Sequence, residues 1–146
     1  MNILNSTIDD GELLAEIRAR AMKESLVAVG RFDEQRVRNR FLDNFIPEDT
    51  FKIVFESTVV GFYVTRLYED YIYLDHLYIL PEYQGNALGA AVIERVKQQA
   101  INLNMPIKLG ALRDSRSNSF YLAHGFEKTH EDEFDIYYAF SAAKIS

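Results

Sequence analysis

The stretch from Tyr71 to Gly89, YIYLDHLYILPEYQGNALG, holds the residues best spaced for chemistry. An apolar strand stops at Pro81, the chain turns through Gln84-Gly85-Asn86, and a helical pattern, AAVIERVKQQAINL, begins. The first turn of a helix carries backbone N–H donors with no partner inside the helix, and the macrodipole adds partial positive charge there. A strand, a glycine-containing turn and a helix start therefore aim donors at one point, which suits an anion and phosphate in particular. The turn lacks the Gly-Lys-Ser/Thr of a nucleotide P-loop and the full Gly-x-Gly-x-x-Gly of a dinucleotide fold, so local pattern alone does not say which phosphate. Two titratable groups, Asp75 and His76, lie on the strand before the turn. Alternation puts Tyr73, Asp75, Leu77 and Ile79 on one face, and Leu74, His76 and Tyr78 on the other.

The elements that must hold this turn can be read in order. Asn2 to Ser6 suits a short strand. Asp9 or Asp10 can cap a helix whose buried face is Leu13, Leu14, Ile17, Ala21 and Leu26, and which Gly30 ends. Asp33 can cap a second helix with Val37, Phe41 and Phe45 four apart and with Arg36, Arg38 and Arg40 mostly on its solvated faces. After Pro47-Glu48-Asp49 the period switches to two. Phe51, Ile53 and Phe55 form a strand, Glu56-Ser57-Thr58 a turn, and Val59 to Leu67 the returning strand of a hairpin. Tyr71 to Leu80, apolar on both faces apart from Asp75 and His76, reads as a central strand. A helix from about Gly89 to Leu103 buries Val92, Ile93, Val96 and Ala100. Ile107 to Leu112 closes a right-handed βαβ unit with parallel strands. Asp114-Ser115 can cap a short helix that Gly125 ends, and Phe126 to His130 and Phe134 to Phe140 are two strands around the acidic turn Glu131-Asp132-Glu133. The order is β-α-α-β-β-β-α-β-α-β-β: a mixed α/β fold with a central sheet of six to seven strands and helices on both faces.

Composition excludes several classes. With 146 residues, a single domain over residues 1–146 is the expectation. There are no cysteines, which removes disulfides, thiolate metal sites and an acyl-cysteine intermediate, and fits a reducing cytoplasm. Three histidines without cysteine make a metal site a poor fit, and His124 and His130 read as surface residues. The N-terminus, MNILNSTIDDGELL, has neither the basic region nor the apolar core of a signal peptide, and no run approaches a membrane span. A net charge of −6 argues against nucleic acid and favours a cationic partner. Glu131, Asp132, Glu133 and Asp135, with Glu48, Asp49, Glu69 and Asp70 in other turns, could line the entry of such a partner or simply be solvated.

Leu77-Tyr78-Ile79-Leu80-Pro81-Glu82-Tyr83-Gln84-Gly85-Asn86-Ala87-Leu88-Gly89-Ala90 closely resembles the acetyl-CoA-binding motif of the GNAT superfamily of N-acetyltransferases, which reads Arg/Gln-x-x-Gly-x-Gly/Ala after a strand ending in Pro. Phe120-Tyr121-Leu122-Ala123-His124-Gly125-Phe126 resembles the family's Phe-Tyr-x-x-x-Gly-Phe segment, and the order of elements matches along the whole chain. The resemblance implies acetyl-CoA as donor, with the pantetheine arm pairing like an added strand with the main chain of Leu77, Tyr78 and Ile79. It places the diphosphate on Gln84, Gly85, Asn86, Ala87, Leu88, Gly89 and Ala90, with Asp114, Ser117 and Tyr121 near the cofactor. Gln84 replaces the commoner arginine, leaving phosphate to backbone N–H groups. Ala87 stands where the first glycine of the pair is usual, and close approach survives there if the local φ is negative. Asp114 and Ser117 stand where Asn and Ala are often found; Asp114 could equally be a helix cap.

The implied reaction is direct attack of a primary amine, on a small molecule or a protein, on the thioester in a ternary complex. An alkyl ammonium must lose its proton first, so a base or a water chain is needed. Tyr121 matches the tyrosine that protonates the departing thiolate. Tyr73 sits where the family's usual glutamate base is common; Asp75 is the nearest titratable group on that face, while His76 has the better unperturbed pKa but the wrong parity. A relay of water with no single base is the third option. The rival expectation is a non-catalytic acyl-CoA sensor of the same fold. The acceptor pocket would come from the first two helices and the last hairpin, which carry no motif, and the aromatic strand Phe134 to Phe140 could support a homodimer.

Overall fold

Glu56 and Ser57 both take a left-handed backbone, with φ of 51° and 66°, which is what a two-residue type I′ hairpin turn demands. That turn folds β2 (Thr50–Phe55) back on β3 (Thr58–Leu67) with Phe55 opposite Thr58, and a bulge at Ile53/Val54 shifts the register. The computed structural model describes residues 1–141. The other elements are β1 (Asn2–Asn5), α1 (Gly11–Ala28), α2 (Glu34–Leu42), β4 (Ile72–Ile79), α3 (Leu88–Leu103), β5 (Ile107–Leu112), α4 (Ser117–Ala123), β6 (Glu127–Glu131) and β7 (Asp135–Phe140). Their order is the one the sequence implies. The seven strands form one sheet, β1-β2-β3-β4-β5-β7-β6, mostly antiparallel, with β4 and β5 parallel at Ile72↔Ile107 and Tyr73↔Lys108. The chain divides into two compact units, Met1–Val64 with His76–Gly89, and Thr65–Asp75 with the residues from Ala90 onward.

In the first unit, Leu14, Ala15 and Ile17 of α1 meet Phe41 of α2, Phe62 and Val64 of β3, and Leu80, with Phe45, Tyr78 and Tyr83 packed against them. The buried stripe of α1 is rotated from the expected one. Leu13 is 46% exposed and Ala21 only half-buried, while Ala15, Arg18 and Ala19 are buried. A helix advances 100° per residue, so a stripe centred on Leu14 and Arg18 turns Leu13 outward. Asp10 does not cap α1 with its side chain. A 3-10 turn at Ile8–Asp10 precedes the helix, and the Asp10 carboxylate accepts from the Thr7 N–H at 2.8 Å and pairs with Lys52 at 3.2 Å. The Thr7 bond holds its pKa below the ordinary value. Asp33 caps α2 as expected, its carboxylate accepting from Arg36 N–H at 3.0 Å.

In the second unit, α3 buries Val92, Ile93, Val96 and Ala100, and β5 alternates buried Ile107, Leu109 and Ala111 with outward Lys108 and Gly110. β7 is hydrogen-bonded on both sides, to β5 and to β6. α4 ends at Gly125, φ 87°, where Phe126 N–H reaches back to Tyr121 O at 3.1 Å and closes the helix end.

Candidate active site

The turn after β4 is built from main-chain bonds. Leu80 N–H donates to Val60 O at 2.8 Å, fixing the strand end on β3. Pro81–Tyr83 then forms a 3-10 turn, closed by Tyr83 N–H to Leu80 O at 2.9 Å. Gly85 has φ 88° and open space where a Cβ would stand, so conformation rather than room calls for glycine. Ala87 has φ 59°, so the condition of a negative φ is not met: the alanine sits in the left-handed region that favours glycine. α3 opens at Leu88, so the N–H groups of Leu88, Gly89 and Ala90 belong to the helix's first turn and have no helical acceptor. The Asn86 side chain donates to Tyr83 O at 2.9 Å, and the Gln84 side chain donates to Ile79 O at 3.1 Å. Gln84 thus braces the end of the strand, leaving the main chain to meet an anion.

Along β4 the expected parity holds. Ile72, Leu74 and His76 are buried, while Tyr73, Asp75 and Leu77 are half-buried. His76 lies among the rings of Phe41, Phe62 and Tyr78, at 5.7, 6.1 and 5.6 Å. Asp75, on the opposite face, accepts from Arg66 through both Nε (3.2 Å) and Nη2 (3.1 Å) on one carboxylate oxygen. Arg66 carries no motif of its own in the sequence. The signal was available, because Arg66 lies on β3, the strand joined to β4 by the short Glu69-Asp70 turn.

Tyr121 lies on α4, 7% exposed, with Phe120, Phe126 and Tyr138 rings at 5.3, 5.5 and 6.3 Å. Asn118, one turn earlier, fixes the helix. Its amide donates to Leu112 O at 2.9 Å and Ser115 O at 3.0 Å, and its carbonyl accepts from Tyr138 OH at 2.8 Å. An asparagine in the first turn of a short helix after a strand is a sequence cue for such bracing. Asp114 is not the helix cap. It has φ 68°, and the helix begins after Arg116 with no side-chain cap. Ser117 Oγ lies 2.6 Å from Ser115 Oγ. The His124 ring lies tilted against Phe120, and the exposed His130 stacks on Tyr137. In the acidic turn, Asp132 accepts from the N–H groups of Phe134 (3.0 Å) and Asp135 (2.8 Å), and Glu131 pairs with Lys128 and Arg113, so these two carboxylates organise the hairpin.

The acetyltransferase (GNAT) domain profile matches residues 19–136. The chain belongs to the GNAT acetyltransferase family. The GNAT fold is seen in solved structures that cover nearly all of it. A PaiA N-acetyltransferase from Thermoplasma acidophilum, in complex with coenzyme A, has a TM-score of 0.75 at 20% identity over 96% of this chain and 98% of that one. The ribosomal-protein-S18-alanine N-acetyltransferase of Escherichia coli has a TM-score of 0.73 at 18% identity over 97% and 93%. An uncharacterized N-acetyltransferase of Staphylococcus aureus (strain COL) is 41% identical over 59 residues, 40% of this chain and 36% of that protein. The match therefore spans little over a third of that relative's length. No helix among the described residues is long and apolar enough to cross a membrane.

Proposed function

We propose that this GNAT chain moves an acetyl group from acetyl-CoA to a primary amine by direct attack in a ternary complex, in the cytoplasm. The observation that carries the reading is the turn from β4 into α3. Gly85 and Ala87 hold left-handed backbone there, and the first N–H groups of a 16-residue helix follow directly. The diphosphate binds the main chain of residues 84–90, and the pantetheine arm pairs with Leu77–Ile79. Asp114 and Ser117 lie beside the cofactor. Asp75, oriented by Arg66, takes the proton from the ammonium directly or through water, and Tyr121 gives one to the departing thiolate. No step needs a metal.

The test is titration with acetyl-CoA, followed by thiol release against a panel of amines. Binding with turnover supports the reading, and absence of binding rejects it. Tyr121→Phe lowers kcat by about 100-fold or more while leaving the Kd for acetyl-CoA within twofold, as loss of a general acid should. Equal losses in kcat and in cofactor affinity would reject the acid role. A second reading, an acyl-CoA sensor of the same fold, is favoured by the strained Ala87 in the phosphate turn; it requires binding without turnover on any amine.

A further inference from the structure

The sheet ends in two strands, β1 and β6, whose outer edges differ in how they are defended. β6 carries Glu127, Lys128 and Glu131, all exposed, and charge along an edge discourages further strand pairing. β1 carries Asn2, Ile3, Leu4 and Asn5, with no charge, no proline and no bulge in its register with β2. The nearest charge is also cancelled, because Lys52, opposite Leu4, pairs with Asp10 at 3.2 Å. Leu4 is 50% exposed, and Ile8, in the 3-10 turn that follows, is 72% exposed.

Parity decides which main-chain groups of β1 are left over. Ser6 N–H donates to Thr50 O at 2.9 Å. Antiparallel pairs alternate between bonded and unbonded, so Leu4↔Lys52 and Asn2↔Val54 are the bonded ones. The N–H and C=O groups of Ile3 and Asn5 therefore point away from β2, and among the described residues no main-chain group outside the strand meets them. Two antiparallel copies of β1 related by a two-fold axis at Leu4 would set Ile3 of each copy opposite Asn5 of the other. Ile3 and Asn5 would then exchange four main-chain hydrogen bonds across the axis. Leu4 would meet its own copy in the unbonded pair, where Cα atoms are about 4.5 Å apart and side chains come closest. Each exposed leucine would so be covered by the other. A strand of another protein would find the same four groups, but this edge has no charge with which to select one. Its own pattern, polar-apolar-apolar-polar, reads the same in both directions and matches a second copy residue type for residue type. We propose that β1 pairs with β1 of a second copy, antiparallel and in register at Leu4, joining two sheets into one across a two-fold axis.

Sedimentation equilibrium of the full chain should show a mass that rises toward two chains with concentration. Leu4→Lys sets like charges at the axis and removes the apolar pair, and the symmetry counts each change twice. It should weaken the dimer by about 10-fold or more in Kd. The register is read separately, because the chain has no cysteine of its own. In Leu4→Cys the two thiols face each other across the axis, at a Cα spacing of about 4.5 Å that a disulfide spans, so oxidation should link most chains into a covalent dimer. In Asn2→Cys the two thiols lie four residues apart along the strands, about 13 Å, and should stay unlinked. If the lysine variant does not fold, the cysteine pair decides alone. A mass of one chain at every concentration overturns the proposal. So does a dimer that Leu4→Lys leaves unchanged, or oxidation that links Asn2→Cys as readily as Leu4→Cys.

Discussion

Ala87 holds a φ of 59° in the turn that feeds α3. For an L-residue with a Cβ that conformation costs about 1–2 kcal/mol, and glycine avoids it at an entropic cost of about 0.5–1 kcal/mol. Ala87→Gly is therefore expected to stabilise the fold by about 0.5–1 kcal/mol, read as a higher urea midpoint at unchanged m-value. Removing the methyl group beside the Leu88 N–H also lowers the Kd for coenzyme A. A lower midpoint, or weaker coenzyme A binding, would show that the alanine is accommodated rather than strained. Residue types at this turn were legible because glycine and proline punctuate it, but the sign of φ at Ala87 was not, since alanine is indifferent in sequence to a conformation imposed by its neighbours. Asp114 repeats the lesson: an aspartate before a short helix reads as a cap, yet it has left-handed backbone, φ 68°, and the helix starts three residues past it.

At the scale of elements, β3 and β4 lie unusually close at one point. A Cβ on Gly61 would stand 2.4 Å from Tyr78 O and 3.2 Å from Ile79 Cα, both backbone atoms that yield only if the strand moves. Gly61→Ala is expected to cost about 1–3 kcal/mol, as overpacking does, and to weaken coenzyme A binding, because the displaced main chain is the one assigned to the pantetheine arm. Wild-type values for both would separate β4 from the cofactor. The β6–β7 hairpin makes a pH prediction. Tyr137 OH donates to Asp132 Oδ2 at 2.8 Å, and chiefly that bond, with burial, pushes the phenol from 10.0 up to about 12. A folded-state pKa above the unfolded one contributes stability that is complete below the unfolded value and lost as pH rises through the folded one, here between 10.0 and about 12. The tyrosinate absorbance lost in Tyr137→Phe should thus titrate late, and Asp132→Asn should bring it back toward the ordinary range. Periodicity made the strands and helices legible, since Ile107–Leu112 and the buried face of α3 fall where alternation and 3.6-residue spacing put them. It could not show the Tyr137–Asp132 bond, which depends on how tightly an irregular acidic turn closes.

For the molecule as a whole, topology was legible because each element carried its own period and because two family segments fixed their order. The acceptor side was not, because α1 and α2 announce themselves only by apolar stripes, and an arginine within such a stripe looks like a surface residue until the helix register is known. The same whole-chain view constrains the chemistry. The chain contains no cysteine, so no thiol is available to carry an acetyl group between donor and acceptor. Asp75 is held by Arg66, and in the proposed reaction it accepts a proton. The proposed reaction therefore has both substrates bound before the acetyl group moves. Initial rates measured over a grid of acetyl-CoA and amine concentrations should give intersecting double-reciprocal lines. Protein mixed with acetyl-CoA alone should keep its unmodified mass and release no stoichiometric burst of coenzyme A. Parallel lines with a mass gain of one acetyl group would reverse the conclusion, and the modified residue would then identify a nucleophile other than any assigned to the site.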